Sequence, residues 1–310
     1  MTSALTTSSS ASNANKVPSL LMPALLACYL VWGSTYLAIR LALVSFPPFF
    51  QMGTRFLAAG VLLMVWVVFR KYPMPTLQQW WHATVVGTLM LGGGMGLTAS
   101  AEQYIGSGLI AAFIAIVPML VCAWGLLMGQ RPSRLELAGM LVGLAGVLML
   151  VRGSSFSAAP VGLACIAGAT LAWSLGSVLS TTRMSLAAGP VGFASEMLCG
   201  GAVLMVISLA LGEQFPSGNT GTVDPTALLA WVYLVVFRSL IAFSAYLYLL
   251  AHASPAMATS YAFVNPLIAI FLGAFFASEQ VTGGEWAACG VILLGVFLIF
   301  RGKSATSTRK

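Results

Sequence analysis

Of the 310 residues, 59% are hydrophobic and only 7% are charged, and the formal net charge is +7. No soluble globular chain has that balance, and apolar runs long enough to span a bilayer recur throughout, so the chain is a polytopic membrane protein. The basic residues fall between apolar runs and at the C-terminus instead of on one polar face, which reads as membrane topology and leaves no case for a nucleic-acid partner.

Residues 1–18 are rich in Ser, Thr, Ala and Asn, offer nothing to bury and read as a disordered tail. The run from Leu20 to about Val44 is too long for the core of a cleaved signal peptide and stays as the first span. Prolines and polar clusters divide the rest into spans at 49–69, 82–104, 106–128, 135–151, 161–181, 191–211, 228–251, 256–277 and 285–300. The expected fold is all-α, with ten transmembrane helices and a basic tail at 303–310. The five cysteines all sit inside apolar segments and read as packing residues, not as staples between loops.

The chain repeats itself. SGLIAAFIAIVPMLVCAWG, from Ser107, lies over SPAMATSYAFVNPLIAIFLGAFF, from Ser254, at a spacing of 148 that pairs Pro118 with Pro266 and Gly125 with Gly273. Farther on, a spacing of 149 pairs Glu136 with Glu285 and Gly146 with Gly295. The earlier helices repeat at 141, placing Trp32 over Trp173 and Arg55 over Glu196. Two five-helix halves follow, 19–152 and 160–302. Five is odd, so the second half enters the membrane the opposite way up, about a pseudo-two-fold axis in the membrane plane. With the N-terminus in the cytoplasm, the inner side collects ten Lys and Arg against two outside, which puts both termini in the cytoplasm.

The ordered set WGSTYLAIR (32–40), RFLAAG (55–60), AWSLGSV (172–178) and ATSYAFVNPLIAIFLG (258–273) resembles the drug/metabolite transporter superfamily in its ten-helix EamA-type branch, most closely the YedA-like inner-membrane exporters. The resemblance covers about residues 20–302. It implies an inner (plasma) membrane protein with a central cavity lined mainly by helices 1, 3, 4, 6, 8 and 9, exporting amino acids, other metabolites or toxic compounds. Two positions depart from the family pattern. Gly129-Gln130 lacks the acid that follows the family's proline-bearing helix, whereas Ser278-Glu279 keeps it, and Arg238 stands where relatives carry a small residue.

Candidate site residues follow from polarity at depth. Pro118 and Pro266 lack the N–H that would bond the carbonyls of Ile114 and Ala262, so they are candidate hinges, with a packing kink as the plain alternative. Trp32 and Tyr36 share one helical face, Tyr261 and Asn265 another, and Trp173 repeats Trp32; these are candidate substrate-binding residues, against gap filling in the bundle. A charge in the membrane centre costs at least about 2.5 kcal/mol without compensation. On that ground Arg55, Glu102 and Glu196 are candidate coupling or gating residues, with Arg55 and Glu102 close enough in depth to be partners and protons the candidate coupling ion. Arg238, about ten residues into its span, is expected to face the interior, towards the carbonyl of Ala262 or water, and to bind an anionic group. The rival reading is a replacement that narrows the cavity.

Enzymatic readings find little support: His82 and His252 are the only histidines, no His-Glu-x-x-His or Cys-x-x-Cys occurs, and Asp224 is the single aspartate. No catalytic residues, metal ligands or cofactors are expected, and no phosphate loop points to ATP. The expectation is a secondary transporter of small organic molecules, working outward by alternating access. The alternatives are an importer or sugar-phosphate type exchanger, which would want several cations in its cavity, and a receptor or scaffold without transport.

Overall fold

The computed structural model describes residues 20–105, 110, 113–151, 159–216, 222–276 and 282–307. The tail predicted at 1–18, and the Tyr36 side chain, lie outside the described residues. The helices are α1 (Leu21–Gly33), α2 (Thr35–Ala42), α3 (Pro48–Phe69), α4 (Leu77–Ala101), α5 (Val117–Leu127), α6 (Arg134–Val151), α7 (Pro160–Thr182), α8 (Pro190–Ala210), α9 (Pro225–His252), α10 (Pro255–Ala258), α11 (Tyr261–Phe276) and α12 (Gly283–Ser307). Among the described residues there is no strand. Five helices, α3, α4, α7, α8 and α9, are long and apolar enough to cross a membrane, and shorter apolar stretches at Leu21–Gly33, Val117–Leu127 and Trp286–Gly302 join them.

Local sequence sets where the spans begin. Pro48, Pro160, Pro190, Pro225 and Pro255 each open a helix, where a missing N–H leaves no bond unmade. Thr76 and Gln79 form a capping box on α4, and Asp224 caps α9 through the amides of Thr226 and Ala227.

The structure corrects the predicted spans in four places. The first span is two helices, broken at Ser34, whose hydroxyl bonds back to the carbonyls of Leu30 and Val31 and meets the Tyr233 hydroxyl at 2.7 Å. Pro118 does not kink the middle of a helix; it is the second residue of α5, which starts afresh after the turn at Ala115 and Ile116. Pro266 does lie inside its helix, α11, but that span has its break earlier, at Thr259 and Ser260, between α10 and α11. The last helix continues through Ser307, past the predicted end at 300 and into the predicted tail.

Helix pairing displays the inverted repeat. Along α3 and α8, Gly53 faces Met205, Leu57 faces Gly201 and Gly60 faces Leu198, so the two run antiparallel and cross near their middles. Along α6 and α12, Gly139 faces Ile299, Gly143 faces Gly295 and Gly146 faces Ile292, again antiparallel. Glycines at these crossings let backbones approach within reach of each other, the packing that replaces hydrophobic force inside lipid. The remaining contacts are mirrored too: α1 packs on α9 and α11, and its counterpart α7 packs on α4 and α5.

The loops sort to two faces. One, the near face, holds the turn at 128–133 against Thr182 and the Ser185 carbonyl against His82. The opposite, far face holds Ser45 against Asp224, and Tyr104 and Ile105 against Gly162.

Candidate functional site

Four aromatic side chains from four helices meet in the bundle centre. Trp32 of α1 touches Trp173 of α7 at 5.7 Å, Tyr246 of α9 at 5.1 Å and Tyr261 of α11 at 4.3 Å between ring centroids. Trp173 stacks on Tyr246 at 5.3 Å, and the Tyr246 hydroxyl meets Ser177 Oγ at 2.9 Å. Edge-to-face and tilted contacts at these separations suit the charge distribution of aromatic rings and fix their orientation.

Beside the cluster lies a narrow cavity of about 30 Å³, lined by Trp32, Trp173, Tyr261, Asn265, Arg238, Met95, Thr98 and Thr170 among others. Its wall is apolar with a few polar atoms aimed inward, as in a small-molecule site. Trp32 Nε1 and Asn265 Oδ1 are buried without a hydrogen-bond partner in the protein, so one donor and one acceptor stand ready for a solute or water.

Arg238 reaches this cavity from an unusual stretch of backbone. Residues Leu234–Phe243 of α9 form a wide π-helical turn, as do Thr88–Gly96 of α4, the corresponding helix of the other half. Such turns recur at functional sites because they redirect side chains out of α-helical register. The two meet through side chains: Arg238 Nη2 contacts Met95 Sδ at 2.7 Å, and the guanidinium carbon lies 5.5 Å from the Trp32 ring centroid. Arg238 is 7% exposed. It faces the interior, as the sequence predicts, held by a thioether and an aromatic face. Gly94, in the α4 wide turn, packs directly on Trp173, where a Cβ would come within 2.8 Å of the indole.

Five predicted substrate residues, Trp32, Trp173, Arg238, Tyr261 and Asn265, thus line one cavity, and Tyr36 is outside the described side chains. Pro118 neighbours the cavity residue Val117, and Pro266 neighbours Asn265. The predicted coupling residues lie elsewhere. Arg55 on α3 and Glu196 on α8 have zero exposure, and neither the Arg55 guanidinium nitrogens nor the Glu196 carboxylate oxygens have a hydrogen-bond partner. The α3–α8 register sets Arg55 opposite Val203 and Glu196 opposite Leu62, about 10 Å apart along the pair. Arg55 also makes no hydrogen bond to Glu102, against expectation: Glu102 ends α4 at the far face and acts on Arg55, Arg40 and Arg238 only through space.

Tyr246, Met95, Thr98 and Thr170 were not singled out from sequence. Tyr246 follows Arg238 by eight residues, about 80° round an ordinary α-helix, and the wide turn between them is what brings it towards the same face.

A larger groove, about 480 Å³, opens at the near face between α5, α6 and the end of α9, lined by Val121, Gln130, Arg131, Glu136, His252 and Ser254 among others. It begins one turn of α5 below the central cavity, Val121 against Val117. At the far face the described residues form a packed layer: Glu213 accepts hydrogen bonds from the amides of Phe49 and Phe50 at 3.1 and 2.7 Å, and Phe215 stacks on Phe50 at 4.6 Å and lies tilted against Phe46 at 5.0 Å. Trp231 donates to Thr54 Oγ1 at 3.1 Å in the same layer. Among the described residues no group of three His, Cys, Asp or Glu side chains could hold a metal.

The EamA-like transporter family matches residues 20–152 and 160–301. The chain is 40% identical over 284 residues to the "Uncharacterized inner membrane transporter YedA" of Escherichia coli (strain K12), covering 91% of each chain. It is 26% identical over 274 residues to "Protein PecM" of Dickeya dadantii (strain 3937), covering 87% of this chain and 86% of that one. A crystal structure of a protein 22% identical shares the fold, with a TM-score of 0.72 over 90% of this chain and 96% of the other.

Proposed function

The chain belongs to the EamA-like transporter family, and from that premise we propose that it is a secondary exporter of small organic molecules that carry an anionic group on an apolar or aromatic body. The observation that carries this reading is Arg238, a guanidinium in the wall of the central cavity beside Trp32, Trp173 and Tyr261. A carboxylate there gains a charge-assisted hydrogen bond in a setting of low dielectric, and the rings take up the rest of the solute. One cavity cation suits a carboxylate better than a phosphate, which sets the sugar-phosphate exchanger aside.

The near-face groove supplies the entrance. With the basic loops on that side, the positive-inside rule assigns it to the cytoplasm, so we take the near-face groove as the inner entrance and the layer around Glu213 as the outer gate. Alternating access then requires the layer of Phe46, Phe50, Phe215 and Trp231 to part while the near-face groove closes. Glu196, buried without a partner, is the residue we assign to proton coupling.

The test is flux from proteoliposomes loaded with labelled amino acids, other carboxylates and organic cations, with and without a proton gradient. Carboxylate-bearing solutes should move and Arg238→Gly should abolish their flux in a folded protein. Retained or broadened transport in Arg238→Gly would show that the guanidinium takes no part in recognition.

A further inference from the structure

Arg55 is the most anomalous side chain in the described bundle. It has no exposed surface, its three guanidinium nitrogens lack hydrogen-bond partners, and its nearest compensation is the Phe56 ring, 4.4 Å from the guanidinium carbon. A buried cation without acceptors is costly to hold, so it marks a place where an acceptor arrives in another state.

Position and neighbours say what arrives. Phe56 also lines a small void of about 10 Å³ together with Arg238, Trp32, Met95, Trp173 and Phe243. The one ring therefore borders both guanidiniums. Both α3 and α9 start at the far face; Arg55 is seven residues into α3 and Arg238 thirteen into α9, so Arg55 lies about 9 Å nearer that face by helix rise. Arg40, Arg55 and Arg238 all act through space on the carboxylate of Glu102, at the far end of α4.

Building on the Arg238 reading, we infer that Arg55 is a second anion station: the carboxylate of the transported solute passes from Arg238 to Arg55 on its way to the far face, as Phe56 turns aside. Two single cations in series suit a monocarboxylate, which each can hold by a forked pair of hydrogen bonds and then release.

The test compares monocarboxylates with their primary amides in proteoliposomes containing wild type, Arg238→Gly, Arg55→Gln or Arg55→Lys, with binding followed by quenching of tryptophan fluorescence. Arg238→Gly should lose carboxylate binding. Arg55→Gln should keep binding within about threefold yet slow carboxylate efflux at least about tenfold, leaving amide efflux within about twofold, and Arg55→Lys should restore most of the rate. Wild-type carboxylate efflux in Arg55→Gln, or equal slowing of amides, overturns the second station while the Arg238 reading stands. Carboxylate binding that survives Arg238→Gly overturns the first reading instead, and no carboxylate flux in wild type overturns both. Should Arg55→Gln not purify as a monodisperse protein, Phe56→Leu decides: a wider passage must speed carboxylate efflux, and no change rejects the relay.

Discussion

Trp32 and Trp173, 141 residues apart and matched in the two halves, meet edge to face at 5.7 Å in the middle of the bundle. Each half thus contributes the same residue to one contact on or near the axis that relates them.

That contact should be measurable as a coupling. In a cycle of Trp32→Phe, Trp173→Phe and the double variant, the thermal stability of the purified protein should show an interaction of about 0.5–1.5 kcal/mol. Strictly additive losses would mean that the indoles merely fill space.

Glu213 ties two segments of the far-face layer together. Its two oxygens cap the start of α3 through Phe49 and Phe50, and truncation to Glu213→Ala should cost about 0.5–2 kcal/mol of stability. The same change should make a cysteine at position 54 easier to label with an impermeant thiol reagent added from the far side. Unchanged labelling would place the barrier elsewhere.

The amides of Ala227 and Thr226 hold the Asp224 carboxyl below its ordinary range. Because the folded state prefers the ionised form, the cap contributes fully above the unfolded value, about 4, and is lost as pH falls through the lower, folded value. The melting temperature of wild type should therefore fall more steeply than that of Asp224→Ala below about pH 4. Parallel curves would refute the cap's contribution.

Glycine substitution separates packing from lipid-facing positions on α12. A Cβ on Gly295 would come within 2.5 Å of the Gly143 nitrogen, whereas Gly290 has nothing within 4 Å. Gly295→Ala should destabilise by about 1–3 kcal/mol, and Gly290→Ala should be neutral or slightly stabilising, read from heat-induced aggregation of the detergent-solubilised protein. Equal behaviour of the two would contradict the α6–α12 interface.

Glu196→Gln removes the charge while keeping the shape. If Glu196 carries the coupling proton, efflux in this variant should lose its response to a proton gradient and its pH dependence should flatten. A response equal to that of wild type removes Glu196 from the coupling scheme.

The sequence makes the spans visible because the bilayer demands runs of about twenty apolar residues, and makes the halves visible because prolines, glycines and tryptophans recur at fixed spacings. It brings Trp32, Trp173, Tyr261, Asn265 and Arg238 forward by the cost of polarity at depth. It hides what depends on backbone hydrogen-bond register. Pro118 reads as central because α5 and the turn before it share one apolar run, and nothing in the pattern of Gly92, Gly93, Gly94 and Gly96 announces that they belong to a wide turn. Arg55 and Glu102 agree in depth, yet depth says nothing of azimuth, and no hydrogen bond joins them.

The paired wide turns carry a mechanical consequence. A stretch whose hydrogen bonds close five residues back holds one residue more than the same rise of α-helix, and that surplus can migrate along the helix without leaving further groups unbonded. Each step of the surplus past a residue swings its side chain by about 100° about the helix axis. In α9 such a step past Arg238 carries the guanidinium from one wall of the bundle to the next, while both ends of the helix stay anchored in their loops. The turn in α4 lies against Trp173, so each half sets one wide turn beside the cavity.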